Sequence, residues 1–538
     1  MTDRRRFTPR WPAGTWARRA LWIVPLTVAV GICAPRAWAA ARGVYARLAV
    51  LNTIIHLARD VYVDSVDTDK LMDGAIDGLL DRLDPHSSYL PPEEAQRLGE
   101  RLRGSFGGVG IQYSIIDGVP TVISTIEGSP AANAGLATGD QITAVDNQTT
   151  MGWRESEVQE HLRGPSGTSV TVTVDRGGEK PATITIVRGA IPLKSVPYAF
   201  MLDDSTGYLR ISNFAQPTGR EVDDALRELL AGGVRYLILD LRDNGGGDLD
   251  AAVQVCDFFL RPGTTIVSQR GRWEGATQTY KATANSRKVD VPVIVLINHG
   301  SASASEIVAG ALQDTDRGII VGQRSFGKGL VQRTFDLSRQ VADGGMLLLT
   351  VARYYTPTGR LIQRDYKAGT AQYLLEGFSD QSPADTARGP AYATPLGRVV
   401  YGGGGIRPDR IVPRTRANLT VIRLTGRAAF FRFADELVRQ GREFPPTLAA
   451  FRSEFTVDAA TWEAFVAFVR RVDPELSEDE LQGARAEVVP FVIAGIAGRL
   501  WGPEAQYRLL APVDPELAAA RSDLVDAARL LAAAALRR

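Results

Sequence analysis

Apolar positions along this chain change their spacing several times, and each change predicts a different kind of structure. From about 44 to 103 they recur at intervals of three and four residues, which predicts amphipathic helices. From about 104 to 189 short β-prone runs alternate with turn dipeptides, which predicts one small β domain. From about 193 to 414 strand-like and helix-like runs alternate, and beyond about 418 the chain becomes helical and rich in Ala, Leu and Arg.

The third segment contains apolar runs that are typical of fully buried strands. These strand-like runs are 207–211, 236–240, 292–297 and 319–321, and the helix-like stretches between them lie near 221–230, 249–259 and 303–313. Alternation of this kind predicts an α/β core with a largely parallel sheet. Residues 366–394 lack a clear period, so we interpret them as a surface insertion.

The N-terminus combines arginines with a short apolar run from Ala20 to about Ala34, followed by a small-x-small site that ends near Ala39. This pattern predicts an export signal that is cleaved after about Ala39. The run is shorter than the roughly 20 residues of a spanning helix, although an uncleaved anchor stays open as the alternative. Both interpretations place the body of the protein outside the cytoplasm, in the periplasm or on the outer face of the cytoplasmic membrane. The Arg5-Arg6 pair is only a weak twin-arginine signal.

Length, net charge and the numbers of potential disulfide and metal-binding residues limit which classes of protein this chain can belong to. A length of 538 residues predicts three or four domains, and a net charge of +1 argues against a nucleic-acid partner. Of the two cysteines, cleavage would remove Cys33 and leave Cys256, so no intramolecular disulfide is expected. The spacing of His, Cys, Asp and Glu predicts no metal site, and we expect no cofactor.

A cluster of serines follows the apolar run 292–297. Ser303 lies at the predicted junction between this strand and a helix, and the small neighbours Ala302 and Ala304 leave room for a substrate. Ser301 and Ser305 are competing nucleophiles, and all three serines could instead be helix-capping residues.

A serine hydroxyl needs a neighbouring base, and Lys328 is the candidate. A free lysine has a pKa of about 10.4, which burial can lower by several units. The residues around Lys328 in sequence carry no charge that would hold the ammonium form, and Gln332 offers an amide that could orient the amine. Taken alone, an exposed lysine remains the alternative.

Glycines 245–247 follow the predicted strand 236–240. Backbone amides in such a turn can face a reacting atom, as an oxyanion hole requires, although a plain strand–helix turn is the alternative. The amide of Ala304 is a natural second donor.

In the β segment, Gly108-Val109-Gly110-Ile111 leaves amides exposed in a tight loop that could hold a carboxylate. Together with 128–142, where small residues precede Gly139-Asp140-Gln141-Ile142, this segment resembles a PDZ domain. Such domains bind a C-terminal peptide as an added strand, which would make proteins with apolar C-termini the partners. A β domain that binds nothing is the alternative.

Several motifs in order resemble the C-terminal processing peptidases, also called tail-specific proteases. The motifs are Leu83 to Leu90, Phe106 to Ile111, the PDZ segment, the turn at Asn244, Ser301 to Leu312, Phe326 to Gln332 and Gly403 to Asp409. The resemblance implies a serine endopeptidase with a crotonase-like α/β catalytic core, a β-rich PDZ domain and helical N- and C-terminal regions. The expected segments are 1–39 (signal or anchor), 40–103 (N-terminal helices), 104–190 (PDZ domain), 191–415 (catalytic core) and 416–538 (C-terminal helices).

The resemblance also implies roles for individual residues. Ser303 would be the nucleophile, Lys328 the general base and Gln332 an assisting residue, while the amides of Gly246 and Ala304 would form the oxyanion hole. One departure is that glycine stands at position 245, where proline or serine is commoner, and the C-terminal helices match the family less well. Arg163 is a speculative residue for coupling the PDZ domain to the site.

Other functions stay open at this point. His86 and His299 could replace Lys328 as the base, but neither has an obvious acidic partner in sequence. A catalytically silent PDZ scaffold that binds tails is the main rival, and a hydrolase of small esters or thioesters on the same core is the second. The helical ends are compatible with a homodimer.

Overall fold

The structure of the protein, a computed structural model, describes residues 43–177, 180–284, 287–341, 344–378, 389–414 and 418–537. The expected export signal with Cys33, and the boundary at 415–416, lie outside the described residues. The chain divides into two compact units, Met1–Leu83 and Asp84–Arg538. Within the ranges given, no helix has both the length and the apolar character that a membrane crossing requires.

The described part of the first unit is helical, as the spacing of its apolar residues predicted. It contains α1 (43–61) and α2 (Thr68–Leu80). Asp67 caps α2 because its carboxylate accepts hydrogen bonds from the amides of Asp69 at 3.1 Å and Lys70 at 3.3 Å.

The second unit opens with β1 (Ser88–Leu90) and α3 (Pro92–Arg103), and a small β domain follows. Its elements are β2 (Ser105–Gly108), β3 (Ile111–Ile116), β4 (Val119–Thr125), α4 (Pro130–Asn133), β5 (Gln141–Val145), β6 (Gln148–Thr149), α5 (Glu155–Leu162), β7 (Ser169–Asp175), β8 (Ala182–Val187) and β9 (Gly189–Pro192). The sheet order is β3-β4-β5-β7-β8, and β2 pairs antiparallel with β9, so one ribbon carries the chain into and out of the domain.

The first strand of the five-stranded sheet begins only after Gly108, Val109 and Gly110. Val109 is buried in the core of the β domain, and Gly110 has φ +84°, which no extended strand residue adopts. The extended run therefore starts at Ile111, and β3 forms an edge of the sheet.

The catalytic region predicted from the sequence contains two sheets. Its elements are β10 (Tyr198–Met201), β11 (Thr206–Arg210), α6 (Thr218–Ala231), β12 (Tyr236–Asp240), α7 (Leu249–Phe259), β13 (Thr265–Gly271), β14 (Gln278–Lys281), β15 (Val293–Ile297), α8 (Ala304–Asp314), β16 (Gly318–Gly322), β17 (Leu330–Asp336), β18 (Met346–Tyr355), α9 (Thr370–Gly377), β19 (Ala391–Ala393), β20 (Val399–Tyr401) and β21 (Arg410–Ile411), with a 3₁₀ turn at Glu274–Ala276.

The first sheet has the order β10-β11-β12-β15-β16-β21, and all its pairs are parallel except β10 with β11. In β15 the side chains of Val293, Val295 and Ile297 pack against α6, α7 and α8, whereas Ile294 and Leu296 pack on the opposite face. Burial of both faces explains why these strands are continuous apolar runs in the sequence.

The second sheet was not predicted from the sequence. It is antiparallel, with β1-β18-β13-β14 in order and β17 paired with β18. Its strands are only partly buried and carry mixed side chains, so their apolar pattern is weak. This sheet positions two of the candidate site residues, because Lys328 lies just before β17 and Gln332 lies on it.

The expectation of a plain surface insertion at 366–394 was wrong for its first part. Residues 370–377 form α9, and Tyr373 on this helix is only 1% exposed because it packs against Phe326. Residues 379–388 lie outside the described ranges.

The C-terminal region is helical, as predicted. It contains α10 (Leu419–Gly426), α11 (Ala429–Arg439), α12 (Leu448–Glu454), α13 (Ala459–Val472), α14 (Glu478–Gly483), α15 (Arg485–Trp501), α16 (Pro503–Leu510), α17 (Pro515–Ser522) and α18 (Leu524–Leu536), with a 3₁₀ turn at Ala511–Val513. The helices α10 to α15 surround a core of their own that includes Phe433 and Phe465. Leu517 and Ala520 instead pack on the outer face of the parallel sheet beside Tyr208.

Candidate active site

Ser303 lies at the turn between β15 and α8, where it is the N-cap residue of the helix. Its backbone has φ +55° and ψ −111°, a combination that side-chain-bearing residues rarely adopt and that is often found at functional sites. Two hydrogen bonds hold this conformation: the Ser303 amide donates to Glu306 Oε2 at 2.8 Å, and the hydroxyl of Tyr354 donates to the Ser303 carbonyl at 3.1 Å.

The hydroxyls of the two competing serines, Ser301 and Ser305, both donate to backbone carbonyls. Ser301 Oγ donates to the carbonyl of Leu241 at 2.8 Å, and Ser305 Oγ donates to the carbonyl of Asn244 at 2.8 Å. Both serines are fully buried. Ser303 is half-buried, and its hydroxyl donates to no residue that the structure describes. Of the three serines, Ser303 is the one with a hydroxyl available to a substrate.

Lys328 lies at the end of the loop that joins β16 to β17. Its Nζ donates to Gln332 Oε1 at 2.6 Å, and burial lowers the pKa of Lys328 from its ordinary value. A lysine with a lowered pKa is neutral over a wider pH range and can act as a base. In this conformation no hydrogen bond joins Lys328 Nζ to Ser303 Oγ, so the pair is not yet aligned for proton transfer.

The amide of Gln332 is oriented by the segment that precedes β1. Gln332 Nε2 donates to the backbone carbonyl of His86, which leaves Gln332 Oε1 facing Lys328. The segment itself is pinned to β18, because the Asp84 carboxylate accepts hydrogen bonds from the His86 amide at 2.9 Å and from Thr350 Oγ1 at 3.0 Å. The motif at 83–90, although far from Lys328 in sequence, therefore has a structural role: its His86 carbonyl orients Gln332.

Of the two histidines considered as a base, His86 is not arranged for that role. His86 Nε2 shares a hydrogen bond of 2.9 Å with the hydroxyl of Tyr373, and burial lowers the pKa of His86 to about 4. His86 is therefore neutral at neutral pH, with one ring nitrogen occupied by Tyr373. His299 lies buried in the turn before Ser303.

The expected oxyanion residues lie together. A Cβ built on Gly246 would be 2.9 Å from the nitrogen of Ala304 and 2.9 Å from Ser303 Cβ, so the glycine turn packs directly against the start of α8. The Ala304 amide has no acceptor among the described residues, whereas the Gly246 amide donates to Asn244 Oδ1 at 2.9 Å. Ala304 is thus ready to donate, and the Gly246 amide is free only after Asn244 releases it.

The turn also requires glycine at position 247. Gly247 has φ +141°, and a Cβ there would lie 2.0 Å from the carbonyl oxygen of Phe214. The sequence had singled out glycines 245–247 as a group, and the packing explains why a side chain is excluded at two of these three positions.

In the β domain, Gly108 ends β2 and Ile111 begins the edge strand β3. The carbonyl of Val109 accepts from the Ala131 amide at 2.8 Å, and that of Gly110 accepts from the Ile126 amide at 3.0 Å. Their own amides have no acceptor in the described part of the chain. The loop therefore offers two free N–H donors next to an unpaired strand edge, as carboxylate capture requires.

Helix α5 lies beside this edge strand. The hydroxyl of Tyr113 on β3 donates to the carbonyl of Glu155, the first residue of α5, at 3.2 Å. Arg163, which follows α5, lies 3.7 Å from the carboxylate of Glu100 and 4.3 Å above the ring of Phe106. In this conformation Arg163 therefore contacts Glu100 and Phe106 at the entrance of the β domain rather than Lys328.

The contacts of Glu306 at the site were not predicted from the sequence, although a signal for them existed. Ser303-Ala304-Ser305-Glu306 has the Ser-x-x-Glu spacing of a helix capping box. Glu306 is fully buried and accepts hydrogen bonds from both sides of the site. No pattern in the sequence around Tyr354, Tyr373 or His86 predicted that these residues contact the site.

Comparison with known proteins shows which families the chain resembles. Residues 205–370 match Peptidase family S41, residues 121–176 match the PDZ domain family, and residues 37–94 match the activating protease CtpB N-terminal domain. A carboxy-terminal-processing protease of Bartonella bacilliformis is 42% identical over 324 residues, which span 59% of this chain and 73% of the relative. The chain belongs to the carboxy-terminal-processing protease family.

Other relatives of this protease family are more distant. The carboxy-terminal processing protease CtpA of Bacillus subtilis is 36% identical over 315 residues, covering 58% of this chain and 66% of that protein. A solved photosystem II D1 C-terminal processing protease is 27% identical, with a TM-score of 0.34 over 66% of this chain and 91% of that one.

Membership of the carboxy-terminal-processing protease family makes the chain a serine-type peptidase with a PDZ domain. The predicted fold class is confirmed: an S41 α/β core, a β-rich PDZ domain and helical ends. The silent-scaffold alternative is disfavoured by this membership.

Proposed function

We propose that this protein is an exported endopeptidase that captures protein C-terminal tails on its PDZ domain and hydrolyses peptide bonds with Ser303, Lys328 and Gln332. The observation that carries the proposal is the desolvated amine of Lys328, which donates at 2.6 Å to the neutral Gln332 carbonyl. A neutral hydrogen-bond acceptor orients the amine without stabilising its charged form as a carboxylate would.

Capture of the tail comes first. The free amides of Val109 and Gly110 bind the terminal carboxylate, and the peptide adds as a strand along β3 toward α5. Partners are proteins whose C-termini are unstructured and apolar, since the loop lies on the apolar core of the PDZ domain.

Hydrolysis then proceeds through an acyl-enzyme. Lys328 Nζ takes the proton of Ser303 Oγ, and Oγ attacks the scissile carbonyl to form the tetrahedral intermediate. The amides of Ala304 and Gly246 stabilise its oxyanion once Asn244 releases Gly246. Lys328 returns the proton to the leaving amine, and water, deprotonated by Lys328, hydrolyses the ester and frees Ser303.

Substitution of the two central residues tests the mechanism. With an unstructured protein that ends in an apolar tail, Ser303→Ala and Lys328→Ala are expected to lower kcat by about a thousandfold or more, because each removes a member of one catalytic unit. Ser338→Ala and Lys367→Ala are matched controls, since both side chains are exposed and their polar partners are Asp336 and Asp365. Undiminished cleavage by Lys328→Ala would reject the base assignment.

A hydrolase of small esters or thioesters is the second candidate for the same core. It would keep its full activity after removal of the PDZ domain, residues 104–189. We expect instead that this deletion raises KM for tailed proteins, and comparison of KM for the two forms separates the candidates.

Export and assembly complete the proposal. The N-terminal pattern supports a signal that is cleaved near Ala39 or kept as a membrane anchor, with the active site in the periplasm or on the outer face of the cytoplasmic membrane. Cell fractionation with N-terminal sequencing of the mature protein tests both parts. A homodimer is supported by α1, whose large apolar side chains Tyr45, Leu48 and Ile54 are exposed, and light scattering gives the mass in solution.

A further inference from the structure

Glu306 is a buried carboxylate in the first turn of α8 that touches both halves of the proposed site. Its Oε2 accepts from the amide of Ser303 at 2.8 Å and from the amide of Lys328 at 2.9 Å. Its Oε1 accepts from the amide of Gly327 at 2.7 Å and from Ser325 Oγ at 2.5 Å. One side chain thus connects the loop of the nucleophile to the loop of the base.

The side chain is fully buried, so its charge is expensive unless it is hydrogen-bonded. Burial raises the pKa of Glu306, and the hydrogen bonds from Ser325 Oγ and from the amides of Ser303, Lys328 and Gly327 oppose this rise. All four partners donate to Glu306, and three of them are backbone N–H groups that can only donate, so the surroundings favour the ionised form.

We propose that Glu306 is a positioning residue that sets the Ser303 backbone and the Lys328 backbone at a fixed separation through one shared carboxylate oxygen. The inference rests on the proposed roles of Ser303 and Lys328. Ser303 has an unfavourable φ of +55°, and a hydrogen bond to its amide is one of the contacts that keep it there. An error of about 1 Å in such an arrangement costs roughly a hundredfold in rate.

Glu306 also acts on the protonation of Lys328. Burial lowers the pKa of Lys328, whereas the charges of Glu306 and Asp84 raise it. The other titratable groups packed here are His86, which lies in the segment before β1, Tyr354 on β18, Tyr373 on α9 and Arg364, whose guanidinium lies over the ring of Phe326. Loss of the Glu306 charge therefore lowers the pKa of Lys328 further.

The test is the pH dependence of cleavage by the full-length Glu306→Gln protein. Glutamine offers one acceptor oxygen and turns an NH₂ group toward backbone donors, so the two loops lose their common anchor. We expect kcat to fall about a hundredfold while KM for the tailed substrate changes little. Because activity needs neutral Lys328, the acid limb of kcat/KM should move to lower pH than in the wild type.

Glu306→Asp separates geometry from charge and serves if the glutamine variant does not fold. Aspartate keeps the charge but is one methylene shorter, so it cannot reach the amides of Ser303 and Lys328 together. We expect a reduced kcat with the acid limb at its wild-type position. Asp257→Asn is the matched control: this buried carboxylate on α7 of the same core accepts from Thr283, and its loss should leave the pH profile unchanged.

Two results would overturn the inference. One is a kcat of Glu306→Asp equal to that of the wild type. The other is a Glu306→Gln protein with an unshifted acid limb, which would reduce Glu306 to general structural support. Ser303→Ala distinguishes this failure from failure of the proposed function: if that variant is inactive while the Glu306 variants behave as wild type, the proposed function stands and the inference about Glu306 falls.

Discussion

The Lys328 amine donates its hydrogen bond to an amide oxygen. The charge of this acceptor matters because a base must be able to lose its own positive charge. Gln332 Oε1 lies 2.6 Å from Lys328 Nζ and carries no net charge, so burial is free to lower the pKa of Lys328. A carboxylate in the same place would hold the ammonium form. We therefore expect the charge of the residue at 332 to influence the pH range of the proposed site.

This argument predicts the behaviour of Gln332→Glu. A negative charge next to an amine raises its pKa by roughly 1–3 units, so activity at neutral pH should fall by about tenfold or more and recover as the pH is raised. The acid limb of kcat/KM moves to higher pH, opposite to the direction expected for Glu306→Gln. Gln332→Ala is the control, because it removes the hydrogen bond without adding charge. An unchanged acid limb in Gln332→Glu would contradict the role of Gln332.

Residue identities in the site differ in how far the sequence could predict them. Ser303, Lys328 and Gln332 were named from short motifs, because each lies in a stretch of small or apolar residues that is itself distinctive. The carbonyl of His86 could not be predicted, since it lies 246 positions from Gln332 and every residue type has a backbone carbonyl. The capture of the Gly246 amide by Asn244 depends on a local turn conformation that the motif does not specify.

At the scale of elements, the loop between β2 and β3 is the part that should control tail binding. A Cβ on Gly110 would lie 2.4 Å from Ser129 Cβ, and the φ of +84° is itself unfavourable for alanine. The loop would have to shift, and the free amides of Val109 and Gly110 would shift with it.

We therefore expect Gly110→Ala to raise KM for a tailed substrate by about tenfold or more, with kcat nearly unchanged. The matched control is Gly128→Ala, where φ is +71° and no atom lies within 4 Å of the added Cβ. This variant has the same unfavourable backbone conformation without a steric clash. Peptide binding measured by fluorescence polarisation checks both variants. Equal affinities for the two variants would argue against this loop as the carboxylate site.

In the two sheets of the catalytic region, strands were predicted well where both faces are buried and poorly where one face is open. The continuous apolar runs of β11, β12, β15 and β16 predicted the parallel sheet because burial on both sides demands apolar residues throughout. The antiparallel sheet of β13, β14, β17 and β18 was missed, because its partly exposed strands tolerate polar and charged side chains.

At the scale of the whole molecule, the C-terminal helices contact both the PDZ domain and the α/β core of the second unit. Arg432 pairs with Asp117 of the PDZ domain at 2.7 Å, and Arg439 donates to the carbonyl of Gly139 at 2.9 Å. On the core side, Tyr507 and Tyr208 share a hydrogen bond of 2.6 Å beneath the parallel sheet. The region is thus a structural part of the second unit.

A protein truncated after Arg414 is accordingly expected to be insoluble or to bind hydrophobic dyes. The truncation uncovers the sheet face formed by Tyr208, Ile294 and Leu296, which Leu517 and its neighbours cover in the full chain. Soluble yield, dye binding and the thermal melt are the measurements, with the full-length protein as control. A soluble truncated form that melts cooperatively would show that the core does not need this cover.

The sequence by itself indicated the family, the small β domain, the parallel sheet and the candidates for nucleophile and base. These depend on local patterns: apolar periodicity, turn glycines and motifs of a few residues. The tertiary structure alone decided which serine has a free hydroxyl, which carbonyl orients Gln332 and which carboxylate joins Ser303 to Lys328. The physical reason is that desolvation and hydrogen-bond partners depend on segments far apart in the chain, and only folding brings those segments into contact.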